Sequence, residues 1–118
     1  MEFISNELKK LDRNEYDVQV VETIFNELYS CLSDKGVVVD EPTCEQMYLN
    51  HLLALSKRIS KAELVEEMDL NCLDEISEDS WQIAEYAVSE IFAKYDLAMN
   101  KTECFLIATH IEINKRRD

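Results

Sequence analysis

The stretch Met47-Tyr-Leu-Asn-His-Leu-Leu-Ala-Leu-Ser-Lys-Arg-Ile59 decides the fold. It carries no formal charge before its last turn, although 31% of the chain is charged. Leu49 and Leu53 fall on one side of a helix at this spacing, and a helix that is apolar nearly all round is a central, buried one. The roughly opposite side carries Cys44, Met47, Tyr48, His51, Leu55 and Ile59.

The composition favours helices. The chain has 118 residues with one glycine and one proline. Tight turns and hairpins need these residues, whereas long helices are interrupted by them. The length is that of one domain. We therefore predict an all-α fold, with residues 1–13 as an N-terminal arm and residues 14–118 as a single domain.

Local signals divide this domain into four long helices and one short one. Gly36 suits a C-terminal cap, and Pro42 suits the first turn of a helix. Asn100 with Glu103 resembles a capping box, in which each side chain bonds the other residue's amide. The acidic stretch 61–80 is typical of a solvated face. The predicted helices cover residues 14–33, 40–60, 62–68, 77–95 and 100–117.

The charge excludes several classes of partner. The chain has 12 basic and 25 acidic residues, a formal net charge of −13. Binding to nucleic acid or to an anionic membrane requires a cationic surface, so we expect neither. We expect protein partners instead, and a self-association only through an apolar face.

The cysteines and the N-terminus indicate a cytoplasmic protein. Cys31, Cys44, Cys72 and Cys104 form no Cys-x-x-Cys pair and no zinc-ligand spacing. We expect them to be free, buried thiols in a reducing compartment. The N-terminal residues lack the apolar run of a signal peptide, and no stretch approaches the length of a membrane span.

Two histidines lie on the apolar faces of predicted helices. Arg58 follows His51 by two helical turns, and Glu103 precedes His110 by two. A neutral imidazole nitrogen can attack an activated phosphoryl group. The arginine fork binds phosphate oxygens, and a carboxylate can hold the other ring N–H. The pattern permits phosphorylation, but either histidine could also be a hydrogen-bonded core residue.

Two segments resemble the histidine motifs of the PTS regulation domain (PRD), where PTS is the sugar phosphotransferase system. Asn50-His-Leu-Leu-Ala-Leu-Ser-Lys-Arg58 looks like the first motif, and Glu103-Cys-Phe-Leu-Ile-Ala-Thr-His-Ile111 looks like the second. The resemblance extends over roughly residues 15–115. It implies a compact bundle of about five helices, often dimeric, whose histidines accept phosphate from HPr or an EIIB component. In that family, phosphorylation tunes an attached antiterminator or transcription activator.

The resemblance also assigns roles to individual residues. His51 and His110 match the phospho-acceptors, and Arg58 and Glu103 match motif positions that would stabilise the phosphate or orient a ring. Asn50 stands where the family often has an acidic residue beside the first histidine, and we count it with Arg58 and Glu103 among the residues expected to stabilise phosphate or orient a ring. The well-known members carry two such domains behind an effector module, whereas this chain holds one, so we expect it to act through a partner.

Three functions follow as hypotheses. The first is a cytoplasmic, non-enzymatic regulatory domain with phosphorylated histidines. The second is a helical adaptor of the same fold whose histidines stay unmodified. The third, a hydrolase with a metal on His51, His110 and Glu103, is disfavoured because Arg58 would repel the ion and the chain lacks a His-x-x-x-His pair. We therefore expect no metal and no cofactor.

Overall fold

The computed structural model describes residues 2–66 and 76–116, and it confirms an all-α bundle of about five helices. The helices are α1 (Glu2–Leu8), α2 (Val18–Asp34), α3 (Pro42–Lys61), α4 (Glu78–Lys94) and α5 (Lys101–Arg116). Helix α2 packs on α3 and α4, and α5 packs on the same two helices, so four long helices enclose one core, while α1 packs on α2. None of the helices described is both long and apolar enough to cross a membrane.

Helix α3 is buried on opposite sides, as its apolar sequence predicts. Leu49 and Leu53 are buried on one side, and Leu55 and Ile59 are buried on the other. The side chains therefore pack against neighbours in several directions, which makes α3 a central helix of the bundle. Met47 departs from the prediction because 54% of its surface is exposed.

The local signals mark the helix ends correctly. Gly36 has φ +87°, and the Val37 N–H donates to the Leu32 carbonyl over 3.1 Å, which closes α2 with a left-handed cap. Pro42 lies in the first turn of α3, where its missing N–H is not needed. At the start of α5, the Asn100 side chain accepts the Glu103 N–H over 3.1 Å, which is one half of the predicted capping box.

The prediction of a short helix at 62–68 is wrong for residues 62–66, and residues 67 and 68 lie outside the described ranges. Ala62 takes up a left-handed conformation with φ 56° and ends α3. Both backbone groups of Val65 then bond to side chains at the start of α5. Its N–H donates to Glu103 over 3.3 Å, and its carbonyl accepts from Asn100 over 2.7 Å. These contacts replace the hydrogen bonds that a helix would need.

The short helix lies instead at the N-terminus, within the predicted arm. Helix α1 buries Ile4 and Leu8 in the core. The Phe3 ring stacks on Phe25 of α2 with 6.0 Å between the ring centroids. These three side chains attach α1 to α2, because each removes apolar surface from water.

Three of the four cysteines lie in the described ranges, and all three are free thiols. Cys104 is buried, whereas Cys31 and Cys44 are half-buried. Cys72 lies outside the described residues. Burial raises the pKa of Cys104 to about 12, so this thiol stays protonated and unreactive at neutral pH.

The left-handed conformation of Gly36 predicts a mutational effect. Nothing lies within 4 Å of the position that a Cβ would occupy, so a side chain there meets backbone strain alone. We expect Gly36→Ala to lower the free energy of unfolding by about 1 kcal/mol. Gly36→Asn should lower it less, because asparagine tolerates this conformation better. Urea denaturation followed by circular dichroism measures both, and an unchanged alanine variant would contradict the expectation.

Candidate functional site

Two contacts across the bundle set the register of α3 against α5. The rings of His51 and His110 lie with their centroids 5.0 Å apart, at an angle of 46°. Arg58 forms an ion pair with Glu103, with 2.7 Å between Nη2 and Oε1. Along α3 the histidine comes first, whereas along α5 it comes last, so the helices are antiparallel. The equal spacing of two helical turns in each helix brings the four predicted residues together as two facing pairs.

Burial keeps the two imidazoles neutral. It lowers the pKa of His51 to about 4, and the neighbouring His110 and the positive charge of Arg58 act in the same direction, while Glu103 opposes them. Burial also lowers the pKa of His110. Both rings are therefore uncharged at neutral pH, and an uncharged ring has a nitrogen lone pair that can act as a nucleophile.

One ring nitrogen of this pair is buried without a partner. The Nε2 atom of His51 has no hydrogen-bond partner among the described residues. A buried polar atom without a partner is destabilising, and such atoms cluster at functional sites. The Tyr48 ring of α3 also lies near His110, with 6.3 Å between the ring centroids. The structure thus places an imidazole nitrogen without a partner at the contact between α3 and α5, called the α3–α5 seam below, and out of contact with solvent.

The ion pair between Arg58 and Glu103 is bidentate. The Arg58 Nε donates to Oε2 over 2.9 Å, and Nη2 donates to Oε1 over 2.7 Å. The Glu103 side chain is fully buried, whereas 25% of the Arg58 side chain is exposed. A carboxylate in such a place needs a cation beside it, because the cost of removing the charge from water must be offset. The pair therefore holds α5 to α3.

The ion pair belongs to a larger network that the sequence did not reveal. The Oε2 atom of Glu103 also accepts the Val65 N–H over 3.3 Å. Asn100 binds the other side of the same peptide segment, since its Nδ2 donates to the Val65 carbonyl over 2.7 Å. The capping signal identified Asn100 as the start of α5 but said nothing of its amide group. Only the crossing of the helices brings Val65 to these side chains.

The side chain of Asn50, the other predicted site residue, bonds within its own helix. Asn50 is exposed, and its Oδ1 accepts from Gln46 one turn earlier over 3.3 Å. Glu103, which the sequence suggested as a holder of an imidazole N–H or of the Asn100 amide, directs its oxygens to Arg58 and Val65 instead. The site therefore consists of two histidines beside a closed ion-pair network.

Two apolar residues near the histidines along α3 and α5 are exposed to solvent. Met47 precedes His51 by one turn and is 54% exposed, and Ile113, which follows His110 by about one turn, is 46% exposed. Because the helices are antiparallel, both side chains lie toward the same end of the α3–α5 seam. They provide apolar surface next to the histidine pair.

The metal hypothesis finds no support in the ligand geometry. Among residues 2–66 and 76–116, no group of three or more potential ligand side chains is placed to hold a metal ion. His51 and His110 are adjacent, but the carboxylate of Glu103 is bound to Arg58. A catalytic zinc site generally needs three protein ligands around an open position.

The buried ion pair predicts a large effect of removing the cation. Arg58→Met leaves the Glu103 carboxylate buried and unpaired, which we expect to destabilise the protein by about 3 kcal/mol or more. Adding Glu103→Gln should recover part of the loss, because the amide carries no charge. Lys94→Met is a suitable control, since it breaks an exposed ion pair with Glu27 and should change stability little. Urea denaturation of the wild type, Arg58→Met, the double variant and Lys94→Met measures these effects. A double variant less stable than Arg58→Met would contradict the expected recovery.

The lowered pKa of His51 predicts a loss of stability in mild acid. The folded-state pKa of about 4 lies below the ordinary value of 6.5, so the unfolded chain binds the proton first as the pH falls. The contribution of His51 to the free energy of unfolding should be largest above pH 6.5 and should decline as the pH falls from 6.5 to 4. Below pH 4 this histidine should cause no further decline. Carboxylates also titrate in that range, so the wild type is compared with His51→Gln. If the free energy of unfolding fell in parallel for the two proteins between pH 7 and 5, the lowered pKa of His51 would be contradicted.

The comparisons with known proteins leave the family open. No family model matches the chain, and neither the curated proteins nor the solved structures searched contain a match. The resemblance to the PTS regulation domain therefore stays a prediction that rests on the two histidine motifs and on the order in which they occur.

Proposed function

We propose that the chain is a regulatory domain whose histidines accept phosphate from PTS proteins, either HPr or an EIIB component. Through this phosphate it would control a partner in transcriptional or metabolic regulation. The observation that carries the proposal is the contact of His51 with His110 across the α3–α5 seam, with ring centroids 5.0 Å apart. Because one imidazole belongs to α3 and the other to α5, a phosphoryl group on either ring would lie against both helices.

The chemistry requires a neutral ring. A lone pair on the histidine nitrogen forms a bond to phosphorus while the bond between phosphorus and the donor breaks, and the donor keeps the electron pair of that bond. The lowered pKa values of His51 and His110 support this step, because a protonated ring has no free lone pair. The protein supplies the acceptor and its protonation state, and the donor supplies the activated phosphoryl group.

The consequence of phosphorylation is electrostatic. A phosphoryl group adds nearly two negative charges at a seam where two uncharged rings now pack. Arg58, two turns along α3, is the cation of the site and could bind phosphate oxygens through its planar fork. Such a change is large enough to separate or reorient packed helices, which is how a modification controls a surface that partners read.

The exposed apolar residues beside the histidines suit contact with a protein donor. Met47 and Ile113 both lie toward the histidine end of the seam. A homodimer, which the resemblance also implies, would need such a face as well, because the net charge of −13 opposes self-association. The same charge disfavours direct binding to nucleic acid, so regulation would pass through another protein.

A helical adaptor with unmodified histidines is the second candidate, and one observation favours it. The Nε2 atom of His51 is buried, and Arg58 already donates from Nε and Nη2 to the Glu103 carboxylate. In this conformation the groups that would receive phosphate are occupied or covered. An adaptor would keep the same fold and bind its partner with both histidines replaced.

Phosphate transfer tests the proposal directly. The purified protein is incubated with phosphoenolpyruvate, Enzyme I and HPr, with and without EIIB components, and its intact mass is measured under alkaline conditions. We expect one phosphoryl group per chain, because two dianions in a site this small repel each other strongly. His51→Gln and His110→Gln locate the acceptor, and the double variant is the unlabelled control.

The outcomes separate the two candidates. A labelled wild type with an unlabelled double variant would establish a phosphorylation site at the seam. Label that persists in the double variant would place the phosphate elsewhere and exclude this site. A chain that stays unlabelled with every donor, while the phosphorelay is shown to work on a known acceptor, would favour the adaptor.

A further inference from the structure

The segment 63–66, which follows α3, is held in place by the first turn of α5. The Val65 N–H donates to Glu103, and the Val65 carbonyl accepts from Asn100. Leu64 and Val65 are half-buried, so the segment lies against the bundle. Both backbone groups of Val65 therefore depend on two side chains at the start of α5, Asn100 just before the helix and Glu103 in its first turn.

The same carboxylate depends on Arg58 for its charge balance. Glu103 is fully buried and receives two hydrogen bonds from the guanidinium, at 2.9 and 2.7 Å. Without this cation, the carboxylate would be a buried, unpaired charge, which is strongly unfavourable. It would have to bind a proton or turn toward water, and either change weakens the hydrogen bond to Val65.

Arg58 has a second potential partner at the histidine pair. Long helical side chains lean toward the N-terminus of their helix, which directs Arg58 toward the turns that lead back to His51. A phosphoryl group on either histidine would carry nearly twice the charge of a carboxylate and offer three acceptor oxygens. It would compete with Glu103 for the guanidinium, and it would repel the Glu103 charge.

We propose that the Arg58–Glu103 ion pair is a latch, by which a phosphoryl group on His51 or His110 releases the segment 63–66 from α5. The inference rests on the proposed function for its input, while the latch itself consists of contacts within this chain. Arg58 turns from Glu103 to the phosphate, the carboxylate loses its cation, and the Val65 N–H loses its acceptor. The coupling is reciprocal, so anything that binds the segment in its closed position opposes phosphorylation.

The latch can be tested by NMR on the full chain. Two nuclei report on it directly: the Val65 amide, which Glu103 accepts, and the Arg58 Nε–H. The protein is phosphorylated with phosphoramidate, which transfers its phosphoryl group to an imidazole nitrogen and releases ammonia, so no PTS protein is needed. We expect hydrogen exchange at Val65 to become at least about tenfold faster, and the Arg58 Nε–H resonance to shift. The Val37 amide, which donates to Leu32 within the α2 cap and not to Glu103, should not change.

Two variants test the latch without phosphate. Glu103→Gln should speed exchange at Val65 to a similar degree, because the amide cannot hold Arg58 as the carboxylate does. His110→Glu places a negative charge at the seam and should have the same effect. Glu112→Gln is the matched control. Glu112 is another buried carboxylate of α5, and it accepts a backbone N–H from outside its helix, that of Ser77, over 2.9 Å. It should leave Val65 unchanged.

Each outcome bears on the latch. Unchanged exchange at Val65 in the phosphorylated protein, or in both Glu103→Gln and His110→Glu, would overturn it. Faster exchange in Glu112→Gln as well would also overturn it, because the effect would then be a general loosening. Release of Val65 by phosphoramidate in a protein that no PTS donor can label would support the latch while rejecting the proposed function, so the two failures are distinguishable.

Discussion

The buried bidentate ion pair between Arg58 and Glu103 is the constraint on which the α3–α5 seam depends. A carboxylate with no exposed surface is tolerated only where a cation and further donors meet it, and here α3 and the segment after it supply both. Sliding α5 along α3 by a single turn would separate the pair by about 5 Å. It would also part His51 from His110. The ion pair thus fixes the register that creates the histidine site.

What the sequence could predict was the position of each residue along its own helix. The caps at Gly36 and Asn100 are local, since the residues that form them are neighbours in the chain. The two equal spacings, from His51 to Arg58 and from Glu103 to His110, correctly put each pair on one face. How those faces meet depends on the order of helices around the core, which no local pattern contains.

The incorrect predictions also arise because local patterns do not contain the tertiary contacts. Residues 62–66 have ordinary helical composition, but their backbone groups find better partners on α5, so tertiary contacts override local propensity. The spacing of Met47 places it on the same side of α3 as the buried Leu55 and Ile59, yet it is exposed. Periodicity identifies the face of a helix but not how far along that face the core extends.

The site combines two requirements that oppose each other. Burial keeps His51 and His110 neutral, which a nucleophilic nitrogen needs, but the same burial covers the Nε2 atom of His51. A donor can reach that atom only when the seam opens, and an open seam admits water, which raises the pKa again. Reactivity would therefore depend on brief openings in which the ring is accessible before it is protonated. The strength of the Arg58–Glu103 pair would set how rare those openings are, so the interaction that builds the site would also limit the rate of the proposed phosphorylation.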